Sequence, residues 1–396
     1  MSATAKHTAP VSILFINLYT EMGGGEYGIY YLLKHLDRER FHPIMMFNGR
    51  GPFVDKVESL GIETVIMPYS VVMLKQLIVP AIFMRNLRAS FEIKQYLKSR
   101  NIDLIQCSDV LSLLLLAPAL MSRRIPVLYS VIFLYEFSRA LVFNVLAVLF
   151  VTGIVTLSDL VRGDLLGKTI GLKKKTTLVY WGVDTTIFKP KTSGEKQKVR
   201  ERLNLPKETP LVGLIGRYDV WKGHMRFLDA AERLIQSSPD MHFLIAGGTV
   251  TGTTLPAAGE YEQRVRARAR QPALNGKITL LGHRSDVSEL MPCLDVFVCS
   301  SDQEPFGLVV LEALACGIPV VSGRRVGALE IIGNDQRVFI AEQNTGDAFA
   351  GAIQRALKMT VRDTGASGTD RLSAYTWNEY ARKYQERYEE MLRKAA

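Results

Sequence analysis

Two successive sets of short apolar runs, separated by amphipathic or turn segments, constrain this 396-residue chain more than any other feature. In the first half the runs are VSILFINL from Val11, then HPIMMFN, ETVIMP, IDLIQCS, VLYSVIF and GIVTLS. In the second half they are LVGLIG from Leu211, then MHFLIAGG, ITLLG, VFVCS, PVVSG and RVFIA. Runs this short with no polar alternation suit strands buried on both faces, as in parallel sheets covered by helices. The expected fold class is α/β, with two Rossmann-like domains in series. The length agrees, because one hydrophobic core rarely serves so many residues. The Lys-rich stretch FKPKTSGEKQK (Phe188–Lys198) has a linker's composition and divides residues 1–188 from residues 189–374. Tyr375–Lys394 reads as a long amphipathic helix, so 375–396 is expected to pack back toward the N-terminal domain. Sheets of this kind take ligands beyond the carboxyl ends of their strands, which places the expected site in a cleft that both parallel sheets face.

Composition narrows the partners. Apolar residues make up 47% and charged residues 22%, the balance of a folded chain. Cys107, Cys293, Cys299 and Cys316 are scattered without a C-x-x-C pair, which argues against a disulfide framework or zinc site and for a reducing compartment. The opening MSATAKHTAP has no apolar leader core, so the expected location is cytoplasmic. The net charge is +10; up to Pro190 there are 21 basic against 14 acidic residues, and beyond it 28 against 25. The excess thus lies in the N-terminal half, where a basic face suits an anionic partner, including the inner face of a membrane. Nucleic acid is not expected, since the basic residues are not interleaved with aromatics in any recognisable module. Ala140–Leu157 is free of charge, but Asn144, Thr152, Gly153 and Thr156 interrupt it; a core helix followed by a strand accounts for it without a bilayer. Val71–Met84, followed by Arg85 and Arg88, reads either as a core helix or as an element lying on an anionic membrane surface.

Two motifs carry chemistry. GRYDVWKG (Gly216–Gly223) directly follows an apolar run and precedes a helix, so backbone N–H groups and a positive dipole end face any ligand there. Arg217 and Lys222 straddle this turn and would suit a diphosphate; a solvated loop with two surface charges is the competing reading. DQEPFGLVVLEALACGIPVV (Asp302–Val321) follows another run and turns helical after Gly307. Glu304 precedes that helix, while Glu312 lies eight residues on within LVVLEALA, where a carboxylate needs a partner. A ribose diol is such a partner, and a capping Glu plus a salt-bridged Glu is the alternative.

These segments, with VGALEII (Val326–Ile332) and the upstream LLGHRSDVSELMPCLDVFVCSS, resemble the retaining glycosyltransferases of family four, which have the GT-B fold. The match is dense from about residue 211 to 345 and patchier in the N-terminal MGGGEYGIYYLLKHL. The resemblance implies a nucleotide-diphosphate sugar as donor, a UDP-sugar in preference to a GDP-sugar, and a glycan or lipid-linked acceptor in cell-surface polysaccharide or lipopolysaccharide synthesis. It implies that Arg217 and Lys222 hold the diphosphate beside Gly216. Glu304 would bind the donor sugar near the backbone N–H groups of Phe306, Gly307 and Leu308. Glu312 would bind the ribose, Arg284 would lie near the nucleobase, and Gly24 and Gly25 would approach phosphates or acceptor. No resident cofactor and no metal are implied; no D-x-D occurs, the nearest spacing being Asp302-x-Glu304.

Two departures stand out. Ile132 and Phe133 occupy the region where the family often carries a histidine, and no histidine lies between His42 and His224. Trp181 stands where an Asn is common, and either stacking on a sugar or packing would explain it. Two other functions compete: a sugar synthase or phosphorylase with a small soluble acceptor, and a catalytically weak subunit that keeps the fold.

Overall fold

The computed structural model describes residues 9–71, 79–249, 257–359 and 371–395. The chain forms two compact units: residues Met1–Trp181 with Trp377–Ala396, and residues Gly182–Thr376. Each is built on one wholly parallel sheet.

The first sheet contains β1 (Val11–Asn17), β2 (Phe41–Phe47), β3 (Glu63–Ile66), β4 (Leu104–Cys107), β5 (Val127–Val131), β6 (Gly153–Thr156) and β7 (Thr176–Leu178). Their order is β3-β2-β1-β4-β5-β6-β7. The six apolar runs of the first half all lie on these strands; β7, with its short TTL sequence, is additional. β4 and β5 are buried along their whole length and β1 from Ile13 on, with Asn17, Gln106 and Ser130 as buried polar residues among the apolar ones. Two helices of this unit begin on side-chain caps: Asp109 accepts from Ser112 N at 2.7 Å, and Ser158 Oγ accepts from Val161 N at 3.1 Å.

The uncharged stretch from Ala140 resolves into the helix Phe137–Phe150 followed by β6. Among the described residues no helix is long and apolar enough to cross a membrane. Of Val71–Met84, residues 72–78 lie outside the described residues, and Pro80 opens the helix Pro80–Ser99.

The C-terminal helix Trp377–Ala395 packs into the first unit through Trp377, Tyr380, Tyr384, Tyr388 and Met391, a helical stripe. Trp377 stacks on Tyr31 with ring centroids 4.4 Å apart, and Tyr384 Oη meets Ser130 Oγ at 3.0 Å. The division between units falls at Trp181, ahead of the Lys-rich stretch. Gly182–Phe188 goes with the second unit because Val183 N donates to Tyr375 O at 2.9 Å, tying the two connecting segments together there.

The second sheet contains β8 (Leu211–Ile215), β9 (His242–Ala246), β10 (Ile278–Gly282), β11 (Val296–Cys299), β12 (Val320–Ser322) and β13 (Val338–Ile340), in the order β10-β9-β8-β11-β12-β13. All six apolar runs of the second half are these strands. The helix His224–Ser237 buries Phe227, Leu228, Ala231 and Leu234 against them in a core with Phe243, Val298 and Phe349.

Candidate active site

In the second sheet the chain leaves β8 toward β9 on one side and returns through β11 on the other. The loops after β8 and β11 therefore open side by side, at the point where doubly wound sheets bind ligands. This brings together motifs that are some eighty residues apart in sequence. Asp302 N donates to Trp221 O at 2.8 Å, and Ser300 Oγ donates to the carbonyls of Lys222 and Gly223, each at 3.0 Å. The approach is tight enough to specify a residue: Gly223 has φ +73°, and a Cβ on it would lie 2.0 Å from the Ser300 carbonyl oxygen.

Lys222 and Glu304 meet directly. Lys222 Nζ lies 2.6 Å from Glu304 Oε2, with the two side chains only 17% and 11% exposed. Ser301 Oγ donates to the same carboxylate oxygen at 3.1 Å. Glu304 is held by its backbone as well: its N–H donates to Arg325 O at 2.8 Å, its carbonyl accepts from Gly327 N at 3.0 Å, and it bridges Val326. Phe306 is buried, and its carbonyl accepts from Ala328 N at 2.6 Å. Gly307, at φ +94°, turns the chain into the helix Leu308–Ala315, whose first N–H groups start at Leu308 directly beyond Glu304.

Arg217, at the head of the β8 loop, reaches Asp219 at 3.5 Å and remains 45% exposed. Trp221 lies between the two cations, 4.1 Å from Lys222 Nζ and 5.9 Å from the Arg217 guanidinium carbon. Glu312 sits two turns into its helix. Burial pushes its carboxyl up to about 7, with no hydrogen bond or nearby cation lowering it among the described residues.

The structure does not bring every expected residue to this cluster. Arg284 follows β10 at the far edge of the sheet, where Asp286 holds it with bonds of 2.8 and 2.5 Å. Gly24 and Gly25 belong to the first unit, at the start of the helix Gly24–Lys34. Gly24 has open space around it, whereas a Cβ on Gly25 would lie 2.6 Å from Ile132 Cδ1. Trp181 is buried against Gly28, Trp377 and Tyr380, so packing is its role in this structure.

Three residues not singled out in the sequence complete the cluster. Arg226 pairs with Asp302 and donates to Asn344 O at 2.9 Å, fixing the β11 loop. Ser301 orients Glu304. His224, fully buried behind the β8 loop, has its imidazole pushed down to about 4 by burial, so it adds no charge beside Lys222. His224 and Arg226 open the helix after Lys222–Gly223 and Ser301 closes the run before Asp302, but their side-chain types alone carry no pattern.

Two parallel sheets with first-strand switch points, each in its own unit, form the architecture of the GT-B glycosyltransferases. The family models agree: Glycosyltransferase Family 4 matches residues 22–187 and Glycosyl transferases group 1 matches residues 195–376. The chain belongs to this glycosyltransferase family. It is 27% identical to an alpha-maltose-1-phosphate synthase of Mycolicibacterium smegmatis, over 59% of this chain and 62% of that protein. It is 32% identical to the lipopolysaccharide core biosynthesis mannosyltransferase LpsB of Rhizobium meliloti, over 37% of this chain and 40% of that one. These matches span about half the length of the curated relatives. Among solved structures, Anabaena HepE in complex with UDP and glucose superposes with a TM-score of 0.80 at 20% identity, covering 94% of this chain and 98% of that one. A glycosyltransferase from Rickettsia africae gives 0.79 at 22%, covering 97% and 99%. At these identities the structural likeness establishes the fold.

Proposed function

We propose that this chain moves a sugar from a nucleotide-diphosphate donor, a UDP-sugar by preference, to a glycan or lipid-linked acceptor with retention of configuration. The setting is cell-surface polysaccharide or lipopolysaccharide synthesis at the inner face of the cytoplasmic membrane. The observation that carries the reading is the Lys222–Glu304 contact at the switch point, with Arg217 on the same loop and, two turns into the next helix, a Glu312 carboxyl without a partner among the described residues.

The roles follow from the chemistry. With donor bound, Lys222 exchanges Glu304 for the diphosphate and, with Arg217, offsets the charge that grows as the anomeric C–O bond to the β-phosphate breaks. Backbone N–H groups from Phe306 to Leu308 add fixed donors at the helix start. Glu304, released from Lys222, accepts from sugar hydroxyls. Glu312 accepts from the ribose. The electron pair of the breaking bond stays on the phosphate oxygen; the acceptor hydroxyl bonds to the anomeric carbon and its proton passes to that phosphate. No side chain is assigned as base.

The test is transfer of labelled sugar from a panel of nucleotide sugars to extracted glycolipid. Lys222→Ala and Glu304→Ala each lower transfer by about a hundredfold or more, with circular dichroism unchanged; wild-type turnover by both refutes the assignment. A synthase acting on a small soluble acceptor is the second reading, favoured by the likeness to the alpha-maltose-1-phosphate synthase. Transfer to free sugar phosphates but not to glycolipid would establish it.

A further inference from the structure

The helix Phe137–Phe150 is apolar on both sides. Ala140, Phe143, Leu146 and Ala147 face the core of the first unit. The opposite stripe, Phe137, Leu141, Val145, Val148 and Leu149, recurs at three- and four-residue spacing and faces outward. Leu141 is 61% and Leu149 65% exposed, and no charged residue occurs from Ala140 to Phe150. Ile170, 84% exposed, extends the same surface, since its N–H donates to Asn144 Oδ1 on this helix at 2.6 Å. Single exposed apolar side chains are ordinary on a protein surface; a contiguous stripe along a whole helix marks an interaction face.

Charge identifies the partner. The helix ends at the edge where the parallel strands β5, β6 and β7 begin. At that edge the exposed residues Arg123 and Arg124 precede β5, and Lys173 and Lys174 precede β7. Lys175 ties this cationic edge to the helix end through Val151 O at 2.8 Å. The acids at this edge are the exposed Asp103, which precedes β4 and accepts from Ser12 N, and Glu390, which pairs with Arg387 and Lys394; those farther off are few. Asp159 pairs with Arg162, Asp164 pairs with Lys168, and the exposed Glu136 stands at the other end of the helix. An uncharged apolar stripe bordered by a row of cations is the complement of acyl chains beneath anionic headgroups.

We propose that the outer face of the helix Phe137–Phe150 seats this chain on an anionic lipid bilayer, with Leu141, Val145, Leu149 and Ile170 entering the acyl boundary and Lys173, Lys174, Arg123 and Arg124 on the headgroups. This deepens the inner-face transferase reading and rests on it only for the choice of a membrane as the working surface.

The experiment is co-sedimentation of the full chain with vesicles of phosphatidylcholine and phosphatidylglycerol in equal parts, and with phosphatidylcholine alone. The wild type sediments with the mixed vesicles, binds the neutral ones weakly, and is released by high salt. Leu141→Glu/Leu149→Glu and Lys173→Glu/Lys174→Glu each lower partitioning about tenfold or more. These positions are exposed, and circular dichroism with a thermal melt of each variant checks that the first unit, which carries them, stays folded. Failure of the wild type to bind mixed vesicles, or binding by both variants at the wild-type level, overturns the proposal. So does a wild-type dimer that Leu141→Glu/Leu149→Glu dissociates without any vesicle binding, which would assign the face to a second copy. Vesicle binding by a chain that UDP-sugars never stabilise leaves the surface standing and removes the transferase reading instead.

Discussion

Lys222 and Glu304 satisfy each other, and removing one partner exposes how much each depends on the other. At 2.6 Å the Coulomb attraction is about 6 kcal/mol at an effective dielectric constant of about 20. Desolvation of both groups, which are 17% and 11% exposed, offsets much of that. Removing one member of a buried pair typically costs about 3–5 kcal/mol, and the residual exposure brings the expectation for Lys222→Met to about 2–3 kcal/mol. Its main cause is the Glu304 carboxylate, left with the Ser301 hydroxyl as its side-chain donor. Glu304→Gln removes that charge, so the double variant Lys222→Met/Glu304→Gln recovers part of the loss. The assay is urea unfolding of the wild type, both single variants and the double variant, followed through Trp221 emission with Trp181 and Trp377 replaced by Phe. Trp221 then reports on the second unit alone. A coupling energy of at least about 1 kcal/mol is expected. Additivity within about 0.5 kcal/mol would refute the claim that the pair acts as a unit.

Three further outcomes follow from the same geometry. Because donor phosphate competes with Glu304 for Lys222, Glu304→Gln binds free UDP more tightly than the wild type in calorimetry while losing the additional affinity for a UDP-sugar; weaker UDP binding would contradict the exchange. The Glu312 carboxyl is raised from 4.5 to about 7, so the folded state holds its proton more tightly than the unfolded chain. The stabilisation this gives is full below about pH 4.5 and fades as pH rises through about 7, by at most about 3 kcal/mol. Glu312→Gln therefore flattens the fall in urea midpoint between about pH 5 and about pH 8; an unchanged fall counts against it. Gly223→Ala places a methyl 2.0 Å from the Ser300 carbonyl oxygen at φ +73°, and is expected to cost more than about 2 kcal/mol and to abolish nucleotide stabilisation in thermal melts.

Much of the fold was legible because strands buried on both faces read as near-continuous apolar runs. Runs such as VSILFIN and LVGLI leave no alternation to confuse with an exposed strand. The short β7 was not legible, since TTL has neither length nor a hydrophobic signature. The first helix begins at Gly24, ahead of the apolar GIYYLL pattern, because Glu26 accepts from Gly23 N at 3.1 Å and caps a glycine run with no helical propensity of its own. Site residues stood out where a charge interrupts an apolar run, as Glu312 does in LVVLEALA. Their pairing did not: the Lys222–Glu304 contact spans 82 residues and exists only because β8 and β11 are neighbours. Arg226 and Ser301 carry no pattern until Asp302 and Glu304 are seen to need them. Arg284 shows the converse, a suggestive position whose guanidinium Asp286 already holds.

A nucleotide-sugar site between the β8 and β11 loops is tested most directly by calorimetric titration of UDP- and GDP-sugars into the wild type and Lys222→Ala. The expected result is one donor bound per chain by the wild type, a UDP-sugar ahead of its GDP counterpart, with affinity lowered about tenfold or more in Lys222→Ala. No nucleotide sugar bound by the wild type, or the same affinity in both proteins, would contradict it.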